Sequence, residues 1–133
     1  MAEPYRTRIE DVPLEQGLRR DEGWIDMQVQ FLIQSPQLLV GRTVLTPGAR
    51  HERHAHPNVD EFLIVMSGSG EIYTNDGREP SKAGDVIFTP RDNWHGFDNT
   101  SGEDVLLIWG WSGAASLEEA GYAIPDPGEE FDE

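Results

Sequence analysis

The chain has 133 residues, 25 acidic against 10 basic, for a net charge of −15, and it has no cysteine. That length allows one domain with a real core. The charge argues against nucleic acid as a partner, and the missing thiols exclude disulfides, iron–sulfur clusters and thiolate zinc sites.

Residues 1–22 are polar and aperiodic, with Pro4 and Pro13, and read as an extended arm without the apolar core of a signal peptide. From Ile25 to Ile33 the pattern alternates, with Ile25, Met27, Val29, Phe31 and Ile33 on one face and Asp26, Gln28 and Gln30 on the other. Period two means a strand. Further strand-like runs follow at Leu38–Leu45, Glu61–Met66, Glu71–Thr74, Val86–Thr89, His95–Asp98 and Val105–Trp111. Turn signals separate them, among them Thr46-Pro47-Gly48, Asn75-Asp76-Gly77 and Ala83-Gly84-Asp85. A short helix is expected at Ser116–Ala120, with Ser116 opening it and Gly121 closing it. Ser116–Glu133 has acids and no Lys or Arg, which reads as a solvating tail, flexible after Pro125. The expected organisation is an arm (1–22), a β domain (23–115) and a helix with an acidic tail (116–133). No run approaches the ~20 apolar residues of a membrane span, so the expected location is the cytoplasm.

Short strands with regular punctuation and almost no helical period indicate an all-β, antiparallel sandwich or barrel. The runs 61–66 and 105–111 are apolar on both faces, so Phe62, Leu63, Ile64 and Val65 read as core. Such strands lie inside a double-layered barrel or at a subunit contact, and a homodimer is expected.

Chemistry concentrates at His54-Ala55-His56, with Glu61 and His95 downstream. Strand residues two apart share a face about 6.5–7 Å apart, so two rings can converge on one ion. Glu61 can add an anionic oxygen, and a pairing strand can bring His95 opposite. Nitrogen and oxygen donors without sulfur suit Fe(II), Mn, Zn, Ni, Co or Cu.

These residues resemble the cupin family. Gly48, His54, His56, Glu61 and Gly68 match its first motif at every fixed position; Gly84, Pro90, His95 and Asn99 match the second. The one departure is Asp92, where the family has glycine. Aspartate tolerates turn conformations, so a changed loop is expected rather than a lost site. The resemblance implies a jelly-roll, double-stranded β-barrel holding one divalent transition metal through His54, His56, Glu61 and His95, with Fe(II) favoured. Gly48, Gly68, Gly84, Pro90 and Asn99 would shape turns.

Around that centre, Trp109 and Trp111 share a face and are candidates for an aromatic wall, and Trp94 for the pocket mouth. Gln28 and Gln30 are substrate candidates if their face looks inward. Arg42, between Val40 and Val44, could hold a substrate anion or pair with an acid. Strict alternation points His51 away from His54, towards solvent. The expected activity is that of a non-haem metal oxygenase on a small oxygen-rich molecule, with Glu61 able to act as base. The alternatives are a redox-neutral Lewis-acid isomerase, cyclase, decarboxylase or lyase, and a non-catalytic binding module.

Overall fold

A computed structural model describes residues 6–15 and 24–124. The acidic tail after Pro125 and much of the proposed N-terminal arm lie outside those residues. A 3₁₀ turn at Ile9–Asp11 precedes eight strands: β1 (Trp24–Gln34), β2 (Leu38–His54), β3 (Glu61–Ser67), β4 (Ser69–Thr74), β5 (Gly77–Lys82), β6 (Val86–Thr89), β7 (His95–Asp98) and β8 (Val105–Ser112). One helix, α1 (Leu117–Ala120), follows. Ser116 caps it by accepting from the Glu119 amide at 3.2 Å, and the Gly121 amide donates to the Leu117 carbonyl. The chain is mostly β and the sheet curls into the expected barrel.

Every ladder is antiparallel, in the order β5-β4-β7-β2-β8-β3-β6, with β1 on the other edge of β2. The long β2 is what curls it. Leu38–Leu45 pair with β8, while Arg50–His54 pair with β7. Between them lies Thr46-Pro47-Gly48, expected as a turn that ends the strand. Here it is a bend within one strand, with Gly48 at φ +84°. Bends of this kind let a strand leave one layer and enter the other. β1, the first half of β2, β8, β3 and β6 therefore form one layer; the second half of β2, β7, β4 and β5 form the other.

Alternation decides what faces inward. Leu39, Gly41, Thr43 and Leu45 of β2 are buried while their neighbours are half-covered. Val29, Val65, Phe97, Val105, Leu107, Trp109 and Trp111 fill the space between the layers. Gly41 is required there, because a Cβ would come within 2.1 Å of the Trp109 ring. The expectation that Phe62 and Ile64 are core is corrected. They point outward, opposite Phe88 and Val86 across the β3–β6 ladder, and only Val65 and the partly buried Leu63 face in.

Two strands depart from the expected list. β5, Gly77–Lys82, follows the two-residue connection Asn75-Asp76 and carries Pro80, which is tolerated because β5 is an edge strand. β1 has register breaks between Ile25 and Met27 and between Phe31 and Ile33. The second places Ile33 opposite Val40, on the outward set of β2.

Candidate metal centre

Three strands and one loop bring the site together at one end of the two layers. His54 ends β2 and stands opposite His95, the first residue of β7. His56 lies two residues beyond the strand. Glu61 opens β3 and pairs with Trp111 of β8 on one side and Thr89 of β6 on the other. All four are buried. The donor nitrogens of His54, His56 and His95 lie within 4.8 Å of one another. Glu61 borders this cluster, with Oε1 3.8 Å from His56 Nε2 and Oε2 3.1 Å from His95 Nε2.

Each of the three rings is held by its Nδ1 nitrogen. Nδ1 of His54 meets the Glu52 carbonyl at 2.7 Å, Nδ1 of His56 meets Gly121 at 2.7 Å, and Nδ1 of His95 meets Asn93 at 3.3 Å. A carbonyl can only accept, so each Nδ1 carries a proton and Nε2 is the nitrogen left to face the cluster. His95 Nε2 is buried and, despite its proximity to Glu61, makes no aligned hydrogen bond. Three inward Nε2 donors, one of them otherwise unsatisfied, and an adjacent carboxylate fit a divalent transition metal.

The loop before His95 keeps this geometry through Asp92. At φ +65° Asp92 is the non-glycine residue with positive φ among the described residues, and its amide donates to the His56 carbonyl at 2.9 Å. The loop is therefore altered in residue type and tied directly to His56.

Electrostatics separate His95 from the other two rings. Burial opposes ionisation of Glu61, but His95, His56 and the Trp111 N–H outweigh it and bring its pKa to about 2. Burial also opposes charge on His95, yet the Glu61 carboxylate holds its pKa above the ordinary value. His54 and His56 are pushed down, first by burial and then by their histidine neighbours, with Glu61 opposing at His56. They stay neutral, the form a metal requires.

Trp109 and Trp111 line the cavity that opens onto these rings, 5.1 Å apart between ring centroids. Trp109 Nε1 donates to Thr43 Oγ1 at 2.8 Å, and Trp111 Nε1 donates to Glu61 Oε1 at 2.6 Å. The cavity, about 60 Å³, is completed by Met27, Val29, Phe31, Leu107 and Leu117 among others. That is several times the ~10–15 Å³ a single water needs. Trp111→Phe would leave a buried carboxylate oxygen without its donor, costing about 1–3 kcal/mol. The expected result in denaturant unfolding is a lower midpoint with an unchanged slope, and an unaltered midpoint would refute the role assigned to this bond.

Three expected pocket residues are elsewhere. Gln28 is exposed, and Gln30 and Arg42 lie on the outward face of β1 and β2. Arg42 Nη1 donates to Gln30 Oε1 at 2.8 Å, and Gln30 Nε2 donates to the Ile9 and Val12 carbonyls at 2.9 and 2.7 Å. They fasten the 3₁₀ turn to the barrel. The face that looks inward is the apolar one, Met27, Val29 and Phe31. Trp94 lines a second cavity of about 180 Å³ that reaches Glu61 and His95 from the side of Asn75 and Asn93. Its ring lies 5.1 Å from the Arg53 guanidinium carbon.

His51 is corrected in the opposite direction. The β2–β7 register breaks between His51 and His54, so residues three apart share a face. The His51 ring stacks on His54 at 3.8 Å, lines the cavity, and places Nε2 3.2 Å from the Tyr122 hydroxyl. Burial, then His95 and His56, push its pKa to about 3, against the opposing pull of Glu61.

The family model described as "Cupin domain" matches residues 41–111. Polyketide synthase CurC of Streptomyces cyaneus is 25% identical over 118 residues, 88% of this chain and 77% of that protein. An oxalate-binding protein of Thermotoga maritima is 34% identical over 70 residues, 53% of this chain and 58% of that protein. Among solved structures, the polyketide cyclase RemF from Streptomyces resistomycificus superposes with a TM-score of 0.71 at 22% identity, covering 83% of this chain and 80% of that one. Among the described residues no helix is long and apolar enough to cross a membrane.

Proposed function

The chain belongs to the cupin family, and on that premise we propose a metal-dependent, redox-neutral enzyme that cyclises or isomerises a small, enolisable, polyketide-like molecule. The observation that carries this reading is the cavity wall. Beside the four histidines and Glu61, its lining is apolar or aromatic except for Thr43, whose hydroxyl is engaged by Trp109, and includes no Lys or Arg. A flat, largely hydrocarbon substrate fits such a wall and can turn its oxygens to the histidine end. A small dianion such as oxalate would leave the wall unused. The alignment with CurC, which runs through most of this chain, supports the same substrate class.

His54, His56 and His95 would hold the metal through Nε2, with Glu61 as fourth donor. When bound, a divalent metal supplies Lewis-acid polarisation of a substrate carbonyl and so favours enolisation. Trp109 and Trp111 present ring faces and edges that orient a planar substrate. Glu61, anchored at Oε1 by Trp111, would serve as base only on detaching from the metal, with Oε2 as the oxygen free to take the proton released on enolisation.

The test is to offer zinc-loaded protein a synthetic β-polyketone without oxygen. A product isomeric with the substrate, or differing by one water, supports the reading. Turnover only with Fe(II) and matched O₂ uptake would replace it with the oxygenase, and substrate recovered unchanged would leave a binding module.

The outer face of β3 and β6 supports a homodimer. Val86 is 70% and Phe88 67% exposed, with Met66 beside Phe62 and Ile64 on the same layer. An uncharged patch on a chain of net charge −15 is where two copies can meet without repulsion. Val86→Glu is expected to shift the mass measured by light scattering from two chains to one; a monomeric wild type would reject this contact.

A further inference from the structure

The segment after β8 lies against the ligand loop. Ala55 and Ala123 exchange two backbone hydrogen bonds, each 2.9 Å. The Asn58 amide donates to the Ala120 carbonyl at 3.1 Å, and Asn58 Nδ2 donates to the Glu119 carbonyl at 3.0 Å. Docked this way, the segment touches two of the site histidines with consecutive residues. The Gly121 carbonyl accepts from His56 Nδ1, and the Tyr122 hydroxyl meets His51 Nε2. The Tyr122 ring also lies nearly parallel to His54, 5.0 Å away at 13°, and Leu117 closes the cavity.

His56 differs from its two partners in where it finds its carbonyl. His54 and His95 use the residue two positions earlier, Glu52 and Asn93, so their orientation is local. His56 uses a carbonyl 65 positions away. Glycine is required at that point. Gly121 has φ +82°, and a Cβ there would come within 2.7 Å of Pro57 Cγ and 2.9 Å of Cδ. Any other residue must push the strap off the ligand loop or twist its carbonyl away.

We propose that residues 116–124 form a working part of the metal centre, with Gly121 as a positioning residue. Its carbonyl fixes His56 in the Nδ1–H tautomer, so docking of the strap and metal affinity are coupled. The coupling is reciprocal: metal bound at His56 Nε2 favours the docked strap, and undocking weakens the metal. This rests on the metal-binding reading above and adds to it the residue that orients one ligand from the far end of the chain.

The full chain and its Gly121→Val variant test it by two measurements. Nitrogen-15 imidazole spectra of the metal-free proteins report each tautomer, and competition titration with Co(II) reports affinity. Wild type should show His56 as Nδ1–H. In the variant, His56 alone should become a tautomer mixture, while His54 and His95 keep theirs. Co(II) affinity should fall about 10–100-fold, the usual effect of losing an outer hydrogen-bond partner.

A wild-type His56 in the Nε2–H form overturns the proposal. So does unchanged affinity in the variant, or equal scrambling of all three rings, which would mean general loosening. Should Gly121→Val fail to fold, the double variant Asn58→Ala, Ala123→Pro decides in its place, since it removes two of the four hydrogen bonds that, apart from that of His56, join the strap to residues 55–58 while sparing Gly121 and Pro57. A fall in Co(II) affinity with only the His56 signal altered supports the proposal, and wild-type values for both overturn it. A wild type that binds no Co(II) counts against the metal reading alone, because the metal-free spectrum still reports the strap.

Discussion

His54→Ala is expected to strip stoichiometric metal from the protein while the barrel stays folded. The ring supplies one of three Nε2 donors that lie within 4.8 Å of one another. Its loss should reduce affinity by more than the roughly 10–100-fold typical of an outer-partner mutation. The core between the layers, from Val29 to Trp111, does not depend on an ion for its burial. Elemental analysis, with circular dichroism for the fold, checks both halves, and His95→Ala should behave alike. His51→Ala is the control: it removes a ring that stacks on a ligand without being one, and metal should stay. Stoichiometric metal in either ligand variant would show the assignment to be wrong.

Acid should destabilise the metal-free protein across a wide window. His51, His54 and His56 have folded-state pKa values below their ordinary 6.5, chiefly because burial disfavours their charge. Between those values the unfolded chain binds protons the native chain cannot. The stability they contribute is therefore present above 6.5 and lost as pH falls, down to about 3 for His51. Glu61, depressed to about 2, adds a loss in the same direction as pH falls below 4.5. His95 runs the other way. Its pKa is raised, so its contribution is present below 6.5 and lost as pH rises through the folded value. Below 6.5 the contribution of His95 no longer changes while three histidines, joined by Glu61 below 4.5, lose theirs, and the midpoint of thermal unfolding should fall steadily between about pH 6.5 and pH 4. A flat profile there would mean the three histidines are not buried neutral. Metal-loaded protein should release its ion over the same range, because protons compete for the ligand nitrogens.

Much of this site could be read from side-chain spacing, and what escaped did so for identifiable reasons. That His54, His56 and His95 converge beside Glu61 was legible because donors able to share one ion recur at particular intervals. Asp92 was legible as a tolerated departure because its type suits a positive φ. His51 was misplaced because period-two reasoning assumes an unbroken register, and the register breaks beside it. Gln30 and Arg42 were placed in the pocket because alternation separates two faces without saying which is inside. The buried Gln30 is covered by the 3₁₀ turn that it fastens. β5 escaped because a polar edge strand containing proline has no apolar period to detect. Gly121 was legible only as the end of a helix, since a backbone carbonyl does not announce which distant ring it will meet.

The strands at the two ends of the ladder order are unequal in what they offer a second copy. β5 carries Pro80, which has no N–H to offer a neighbouring strand, and its sequence is polar. β6 presents exposed Val86 and Phe88. Two copies meeting through β6 would leave β5, whose ladder is interrupted by its proline, and the outer edge of β1, where the Glu15 amide donates to the Val29 carbonyl at 2.8 Å, as the places where a third copy could pair.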